Sequence, residues 1–432
     1  MSDVTLEDLA SLAKRRGFIF QGSEVYGGLA GTWDYGPLGV ALKRNIENLW
    51  WKMFVEDRED MYGVDAAILM NQKVWKASGH VDTFTDPLVE CSNCNARFRE
   101  DQIDTSKCPA CGKEGTFGEA RQFNMMFKTN VGPVEDENSI SYLRPETAQG
   151  IFTNFKNVVD TFYPDLPFGI AQIGKAFRNE ISPRDFVFRS REFEQMEIEY
   201  FIDPEKWEEA FEMWVGLVHE WCKALGLPED KLHELEVPDE DRAHYSKRTI
   251  DFEFDFPHGR KELLGLAYRT DFDLSNIQNA TKKNMEYRTK DGSKAFVPHV
   301  IEPSFGVERA IMAVLTSAYT EDEINGEKRS YLKLPAHLAP IKVAVSPLLK
   351  NKPELVDKAR EVYSMLKKEL GAVMWDDNGN IGKRYRRQDE IGTPYCVTID
   401  FQTLEDNTVT VRNRDTTEQE RINAESIVSK IE

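Results

Sequence analysis

Apolar Leu6, Leu9, Leu12 and Ala13 recur at helical spacing, and Thr5 and Asp8 stand where a capping pair closes a helix N-terminus, so 5–14 reads as a short opening helix. A loop punctuated by Gly22, Gly27, Gly28, Gly31, Gly36, Pro37 and Gly39 follows, and 40–55 returns to a long amphipathic pattern carrying Trp50 and Trp51. The glycine spacing fits neither a P-loop nor a dinucleotide fingerprint, so the loop reads as structural. From 140 to 315 the pattern turns strand-like. Segments 168–179 and 188–201 form an antiparallel hairpin around Ile181-Ser182-Pro183-Arg184-Asp185, 251–256 alternates strictly, and 297–304 with 306–315 reads as strand, turn and amphipathic helix. A further helix is expected over 204–225.

Residues 334–340, with Pro335 and Pro340, read as a linker. Beyond it strands at 341–346, 373–376, 395–400 and 408–413 alternate with helices at 353–370 and 381–391, the pattern of a small α/β domain. The 432 residues, 41% of them hydrophobic, suffice for two or three cores. With 30% charged residues, no apolar run approaches the roughly 18–20 residues that cross a bilayer. The opening residues carry Asp3, Glu7 and Asp8 where a secretory leader would be basic and then apolar, from which a cytoplasmic protein is expected.

The net charge of -19 argues against coating nucleic acid by bulk electrostatics. It is unevenly spread: 338–432 carries -1 and the remainder -18. Within the near-neutral tail, Lys383-Arg384-Tyr385-Arg386-Arg387 is a basic run with an embedded aromatic of the kind that meets phosphates and bases, although taken alone it reads first as a solvated charged face.

Four of the six cysteines fall as Cys91-x-x-Cys94 and Cys108-x-x-Cys111, while Cys222 and Cys396 stand apart. Paired knuckles place four thiolates on one tetrahedral ion and leave no open position, which points to structural zinc in an insertion at about 88–118; a redox disulfide is the alternative.

On the hairpin, period-two geometry puts Arg178 and Glu180 on one face of the first strand and Phe193, Gln195, Glu197 and Glu199 on one face of the second. If the faces coincide, a cation, carboxylates and a flat ring meet one ligand, a set that suits a nucleotide; an isolated sheet face of alternating charge would look the same. His80, His244 and His299 lack metal spacing or a nucleophile partner in sequence and read as structural.

These residues resemble a family. Phe177-Arg178-Asn179-Glu180 with Phe188-Arg189-Ser190-Arg191-Glu192-Phe193 is similar to motif 2 of the class II aminoacyl-tRNA synthetases, Gly306-Val307-Glu308-Arg309 to motif 3, and the Gly36-Pro37-Leu38-Gly39 turn with its long helix to motif 1. Within the class, Trp33 to Gly39, Arg144-Pro145-Glu146-Thr147-Ala148-Gln149-Gly150, Phe193-Glu194-Gln195-Met196-Glu197 and Glu302-Pro303-Ser304-Phe305-Gly306 resemble the homodimeric glycyl-tRNA synthetases, over about residues 5–430.

The resemblance implies an α+β fold: an antiparallel catalytic sheet flanked by helices over 1–337, carrying the zinc insertion, and an α/β anticodon-binding domain over 338–432. It implies glycine, ATP and tRNA(Gly) as substrates, magnesium with ATP, structural zinc, and a homodimer built on motif 1. Arg178 and Arg309 become the catalytic residues. Glu146, Glu197 and Glu302 with Ser304 take the glycine ammonium, the segments Phe193 to Glu197 and Glu302 to Gly306 line its site, and Arg99 aligns with a substrate contact. For ATP the resemblance assigns Arg178 to the α-phosphate, Phe193 to stacking under adenine, and Arg309 to the terminal phosphates or the other face of the base. Asn179, Glu180, Phe188, Arg189, Ser190, Arg191, Glu192, Glu262, Leu263, Gly306, Val307 and Glu308 complete the ATP set, with Glu262 and Glu308 as the expected magnesium ligands. A hydrophobic pocket discriminates by only about 1–3 kcal/mol per methylene, so alanine is to be refused by a rigid wall, and no editing domain is visible. A non-catalytic relative would have lost motif residues that are all present here. The R-P-E-T-A-Q and E-P-S-F-G segments decide for glycine over serine or proline by resemblance, not by physics.

Overall fold

The computed structural model describes residues 4–431 apart from Asn138, His244 and Asn325, so the expectation for His244 lies outside the described residues. The chain opens on α1 (Leu6–Arg16), where Thr5 and Asp8 form the expected reciprocal capping box. Strands β1 (Ile19–Gln21) and β2 (Trp33–Tyr35) pair around the glycine-rich loop and lead into α2 (Pro37–Trp51), which starts at a proline preset for the first helical position. A Cβ on Gly39 would stand 1.9 Å from the Phe18 carbonyl oxygen, so this glycine serves a close backbone approach.

After β3 (Met61–Gly63), helices α3 (Gln72–Ala77) and α4 (His80–Thr83) lead into the insertion, whose base is a three-stranded sheet of β4 (Thr85–Glu90), β5 (Arg97–Arg99) and β6 (Arg121–Asn124). A small ribbon, β7 (Lys128–Asn130) with β8 (Ile140–Tyr142), precedes α5 (Ala148–Phe162). The expected hairpin is present as β9 (Phe168–Phe177) and β10 (Glu192–Ile202); Arg178 and Glu180 lie just past the end of β9, not on it. Then come α6 (Trp207–Ala224), β11 (Leu232–Glu236), β12 (Arg248–Phe256), β13 (Gly259–Thr270), α7 (Phe272–Thr281), a short ribbon of β14 (Tyr287–Arg288) and β15 (Ala295–Phe296), β16 (His299–Gly306), α8 (Val307–Ala318), and the hairpin β17 (Tyr319–Ile324) with β18 (Glu327–Leu332).

Seven strands form one sheet in the order β11-β12-β13-β16-β10-β9-β3, antiparallel except at β3, which runs parallel to β9. One face meets α2, α6 and α8 in the main hydrophobic core, where Trp50, Phe54, Trp214 and Trp221 are fully buried. On the other face α5 covers Phe168, Ile170 and Phe201. The middle of that second face stays polar.

The C-terminal lobe has a core of its own and a sheet in the order β20-β19-β21-β22-β23. It runs β19 (Val343–Pro347), α9 (Pro353–Leu370), β20 (Val373–Trp375), α10 (Ile381–Glu390), β21 (Tyr395–Ile399), α11 (Phe401–Asp406), β22 (Thr408–Asn413), β23 (Gln419–Asn423) and α12 (Ile427–Ile431), with β20, β19 and β21 parallel. The six elements expected from the pattern are there; α11, β23 and α12, short and weakly patterned, are additional. The linker is packed rather than solvated: Leu334, Leu338 and Ala339 are buried, and Asn45 Nδ2 donates to the carbonyls of Leu338 and Ala339 at 3.1 and 3.2 Å. Across the seam, buried Arg329 of β18 donates to Asp389 of α10 at 2.9 Å, and Arg412 of β22 grips the same carboxylate at 2.7 and 2.9 Å.

Most of the basic run on α10 is engaged within the protein. Arg384 is buried and donates to the carbonyls of Pro347, Asp377 and Gly379, Arg386 donates to the Lys328 carbonyl at 2.8 Å, and Arg387 pairs with Asp376 at 2.6 Å. Tyr385 Oη meets Thr398 Oγ1 at 2.9 Å, which leaves Lys383 as the exposed cation of the run.

Candidate active site

The polar middle of the large sheet is built by alternation. On β10, Phe193, Gln195, Glu197 and Glu199 face it, while Met196 is buried in the main core and Glu194 turns to an ion pair with Lys43 of α2. The expected glycine contacts of Glu194 and Met196 are therefore corrected: their side chains lie on the opposite face. On β16, Glu302, Ser304 and Gly306 share the polar face; Phe305 points away into Trp50, Phe54 and Trp221, with ring centroids 5.9, 5.5 and 4.9 Å apart, and Pro303 shares its parity. The third contributing strand, β13, breaks alternation. Phe252 pairs with Leu264 and Glu253 with Glu262, so Leu263 is an inserted bulge residue. The bulge puts Leu263 and Leu264 in the core and brings Glu262 to the polar face, alongside Gly265, Ala267 and Arg269.

Two adjoining cavities open there. The smaller, about 270 Å³, is lined by Glu146, Glu197, Glu302 and Ser304, with Tyr245, Asp251 and Ala267 around them. Glu197 is held by Ser304 Oγ, which donates to Oε1 at 2.8 Å, by Gln195 Nε2 at 3.3 Å and by Thr147. Glu302 accepts from Arg269 Nη1 at 2.7 Å, and Arg269 also grips Asp273 at 2.8 and 2.9 Å. Glu199, with no exposure, has neither oxygen hydrogen-bonded among the described residues. Carboxyls outnumber cations here, and their protons respond. Burial, opposed by Arg269 and reinforced by Glu197 and Glu146, pushes Glu302 up to about 8, and burial also raises Glu197 and lifts Glu199 well above the carboxylate range. Glu146 departs the other way: burial is outweighed by His80, Arg269 and Arg178, which hold it at about 2. The set titrates as a unit that is short of positive charge.

The larger cavity, about 320 Å³, is lined by Arg99, Arg178, Glu180, Phe188, Arg189, Ser190, Phe193, Glu262, Glu308 and Arg309 among others. Arg178 Nε donates to the Pro145 carbonyl at 3.0 Å, and its guanidinium lies 5.2 Å from the Phe193 ring centroid. Arg309 lies 4.7 Å from the Phe188 ring centroid and pairs with Glu262 at 3.0 Å. Two arginines thus face two rings across one space, where a flat base can enter. Arg178, Gln195, Glu262 and Ser304 line both cavities and form their common wall.

Several expected contacts fall elsewhere. Arg99 lines the larger cavity, not the smaller one expected for glycine, and is held by Asp86 at 2.8 Å and Asp101 at 2.7 Å. Asn179 donates its main-chain N–H to the Met125 carbonyl at 2.7 Å, Arg191 staples the carbonyls of Glu180 and Ala30, Glu192 pairs with Lys175 at 2.7 Å, and Val307 is core. Glu308 corrects the magnesium expectation: Oε2 accepts the Glu194 N–H at 2.9 Å and Oε1 the Tyr35 hydroxyl at 3.3 Å, while burial pushes the carboxyl up to about 7. Glu262, with 46% of its side chain exposed and Arg309 beside it, is the carboxylate open to the larger cavity.

In the insertion, Cys91, Cys94, Cys108 and Cys111 bring their sulfurs within 4.8 Å of one another, with Cys91 to Cys111 at 3.7 Å and Cys94 to Cys108 at 3.8 Å. A tetrahedron with zinc–sulfur bonds of about 2.3 Å has sulfur–sulfur edges of about 3.8 Å, so the cluster fits zinc in size and chemistry.

Sequence reasoning missed Arg269 and Asp273, placed Glu199 on the facing side of its strand and quoted Thr147 without giving it a role, and read His80 as structural. His80 Nε2 stands 3.2 Å from Glu146 Oε2 at the rim of the smaller cavity. The one advance signal was parity: Glu199 and Arg269 share the facing positions of their strands. His299 meets Tyr268 Oη at 2.5 Å, away from both cavities, and stays structural.

Residues 127–318 match the family described as the tRNA synthetase class II core domain (G, H, P, S and T), and residues 342–432 match the anticodon binding domain. The chain is 48% identical to the glycine–tRNA ligase of Thermobifida fusca, over 98% of this chain and 96% of that protein. It is 49% identical to that of Clostridium tetani, over 99% and 98%, and 48% identical to that of Streptomyces coelicolor, over 98% and 96%.

Proposed function

We propose, on the premise that the chain belongs to the glycine–tRNA ligases of the class II aminoacyl-tRNA synthetases, that its two cavities divide the first half of the reaction between them. The reaction itself is ATP-dependent: glycine is activated as its adenylate and transferred to the 3′ end of tRNA(Gly). The smaller cavity takes glycine and the larger takes ATP. The observation that carries this reading is the common wall, where Arg178 reaches both spaces.

Glu146, Glu197 and Glu302 surround the ammonium, and Ser304 and Gln195 orient Glu197 toward it. Substrate supplies the positive charge that the carboxylates lack. The adenine lies against Phe193 with Arg309 on its other side, and Arg178 sits at the α-phosphate. A glycine carboxylate oxygen attacks the α-phosphorus as the bond to the leaving pyrophosphate breaks, so the protein contributes alignment and charge neutralisation rather than a nucleophile. Class II synthetases use ATP with magnesium, which would offset phosphate charge here; Glu262 would hold it, and Glu308 instead shapes the wall beneath Glu194.

Residues 1–337 act as the catalytic domain with its insertion at about 88–118, and 338–432 as the anticodon-binding domain, a division supported by the separate core of the C-terminal lobe. Zinc in the four-cysteine cluster is supported by the sulfur spacing. A homodimer is supported by the edge strand β3, whose Tyr62 packs on Phe162, a ring 60% exposed beside Tyr163, 70% exposed. A cytoplasmic setting is supported by six unpaired cysteines, and no described helix is long and apolar enough to cross a membrane.

ATP–pyrophosphate exchange with each of the twenty amino acids, without tRNA, tests the reading. Exchange confined to glycine is expected; exchange with another amino acid would overturn the assignment of the smaller cavity.

A further inference from the structure

The three ammonium-facing carboxylates are not held alike. Glu197 has Ser304, Thr147 and Gln195, and Glu302 has Arg269, all on or beside the sheet. Glu146 stands on the turn before α5, where no strand partner fixes it. Among the described residues its one ion pair is with His80, Nε2 to Oε2 at 3.2 Å, and its other oxygen, Oε1, is buried without a hydrogen-bond partner.

The histidine, by contrast, is fixed on every side. Its Nδ1 stands 2.8 Å from Ser78 Oγ, its ring lies between Trp75 and Phe84 with centroids 5.4 and 5.5 Å away, and its side chain is 13% exposed. Its main chain is held from the base of the insertion: Asn124, on β6, donates Nδ2 to the carbonyls of His80 and Val81 at 3.2 and 2.9 Å. A carboxylate only accepts, so Nε2 carries the hydrogen that faces Glu146.

We propose that His80 is a positioning residue for glycine: it binds one oxygen of Glu146 and thereby turns the other to the substrate ammonium, with the base of the insertion holding the imidazole in place through Asn124. The role rests on the reading of Glu146 as an ammonium ligand. It gives the insertion a part in amino-acid binding, since the strands that open and close it, β4 and β6, pair directly after His80 and at Asn124.

Two substitutions separate this role from simple packing. An asparagine amide overlays the Nδ1 position and keeps Ser78, whereas a glutamine amide overlays Nε2 and keeps Glu146. In ATP–pyrophosphate exchange, His80→Asn is expected to raise the KM for glycine by about tenfold to a hundredfold with the KM for ATP unchanged, and His80→Gln to recover most of that loss. An unchanged glycine KM in His80→Asn, an equal rise for ATP and glycine, or identical behaviour of the two variants would overturn the role. Should His80→Asn fail to fold, Ser78→Ala, which loosens the same ring, is read in the same way. Glu146→Gln in the same assay tells the two readings apart: if it leaves the glycine KM unchanged, the ammonium assignment falls, and if it raises that KM while His80→Asn does not, only the role of His80 falls.

Discussion

Arg269 Nη1 donates to Glu302 Oε1 at 2.7 Å beneath the smaller cavity, and both side chains are almost wholly buried. The same guanidinium holds Asp273, whose Oδ1 also accepts from Gln149 Nε2 at 2.7 Å, so one cation ties β13, β16, α5 and α7 together under the substrate. Removing one member of such a network strands the others without counter-charge, at a cost of about 3–5 kcal/mol. Arg269→Met is expected to lose stability on that scale in chemical denaturation. Arg269→Lys should recover little, because an ammonium cannot span two carboxylates as the planar guanidinium does. A loss below about 1 kcal/mol for Arg269→Met would show the network to be dispensable.

The carboxyls around that cation predict how glycine binding depends on pH. Burial raises Glu302 to about 8 and raises Glu197, so near neutrality the empty cavity holds protons that an arriving ammonium displaces. Glycine binding should release protons at pH 7 and tighten as pH rises toward about 8. Calorimetry in two buffers of different ionisation enthalpy measures the release, and proton uptake or none would contradict it. Stability moves oppositely. Glu302 at about 8 and Glu308 at about 7 bind protons in the folded protein at pH values where the unfolded chain has lost them, so their contribution falls as pH rises from about 4.5 to 8.

Arg178 stands where the two cavities meet, over the Phe193 ring and tethered to the Pro145 carbonyl. Charge develops on the α-phosphate in the transition state, and loss of a single preorganised donor at such a point costs about 2.7–4 kcal/mol, or about a hundredfold to a thousandfold in kcat. Arg178→Ala is expected to reduce exchange by at least that factor while leaving the glycine KM within a few-fold. Near-wild-type exchange in the folded variant would refute its role.

What the sequence disclosed and what it withheld divides along physical lines. Local alternation identified Phe193, Gln195, Glu197 and Glu199, because side-chain direction on a strand depends on parity alone, and the same rule would have excluded Glu194 and Met196; Glu302 and Ser304 came from the family resemblance. The bulge at Leu263 was not legible: a one-residue slip on β13 is set by pairing with β12, yet it decides that Glu262 faces the larger cavity. Arg269 with Glu302 and His80 with Glu146 are tertiary meetings of distant segments, and no periodicity encodes them. On α10 the pattern showed the charge of Arg384 but not its burial, which comes from the carbonyl of distant Pro347 and from those of Asp377 and Gly379 in the loop just before the helix.

The four cysteines carry a prediction that reaches beyond the insertion. Their sulfurs stand at separations that fit a tetrahedral ion, and a metal bound there would offset the repulsion of four thiolates so close together. One zinc per chain is expected by elemental analysis. Its removal by a chelator, or Cys94→Ser, should loosen the knuckle and make 91–118 cleavable by protease, while the seven-stranded sheet, which draws no strand from the insertion, keeps its thermal transition. Because β6 anchors the main chain of His80, the zinc-free protein should also bind glycine more weakly without losing ATP. Protease resistance and glycine KM that survive complete zinc removal unchanged would show that the sulfur cluster holds its shape without a metal.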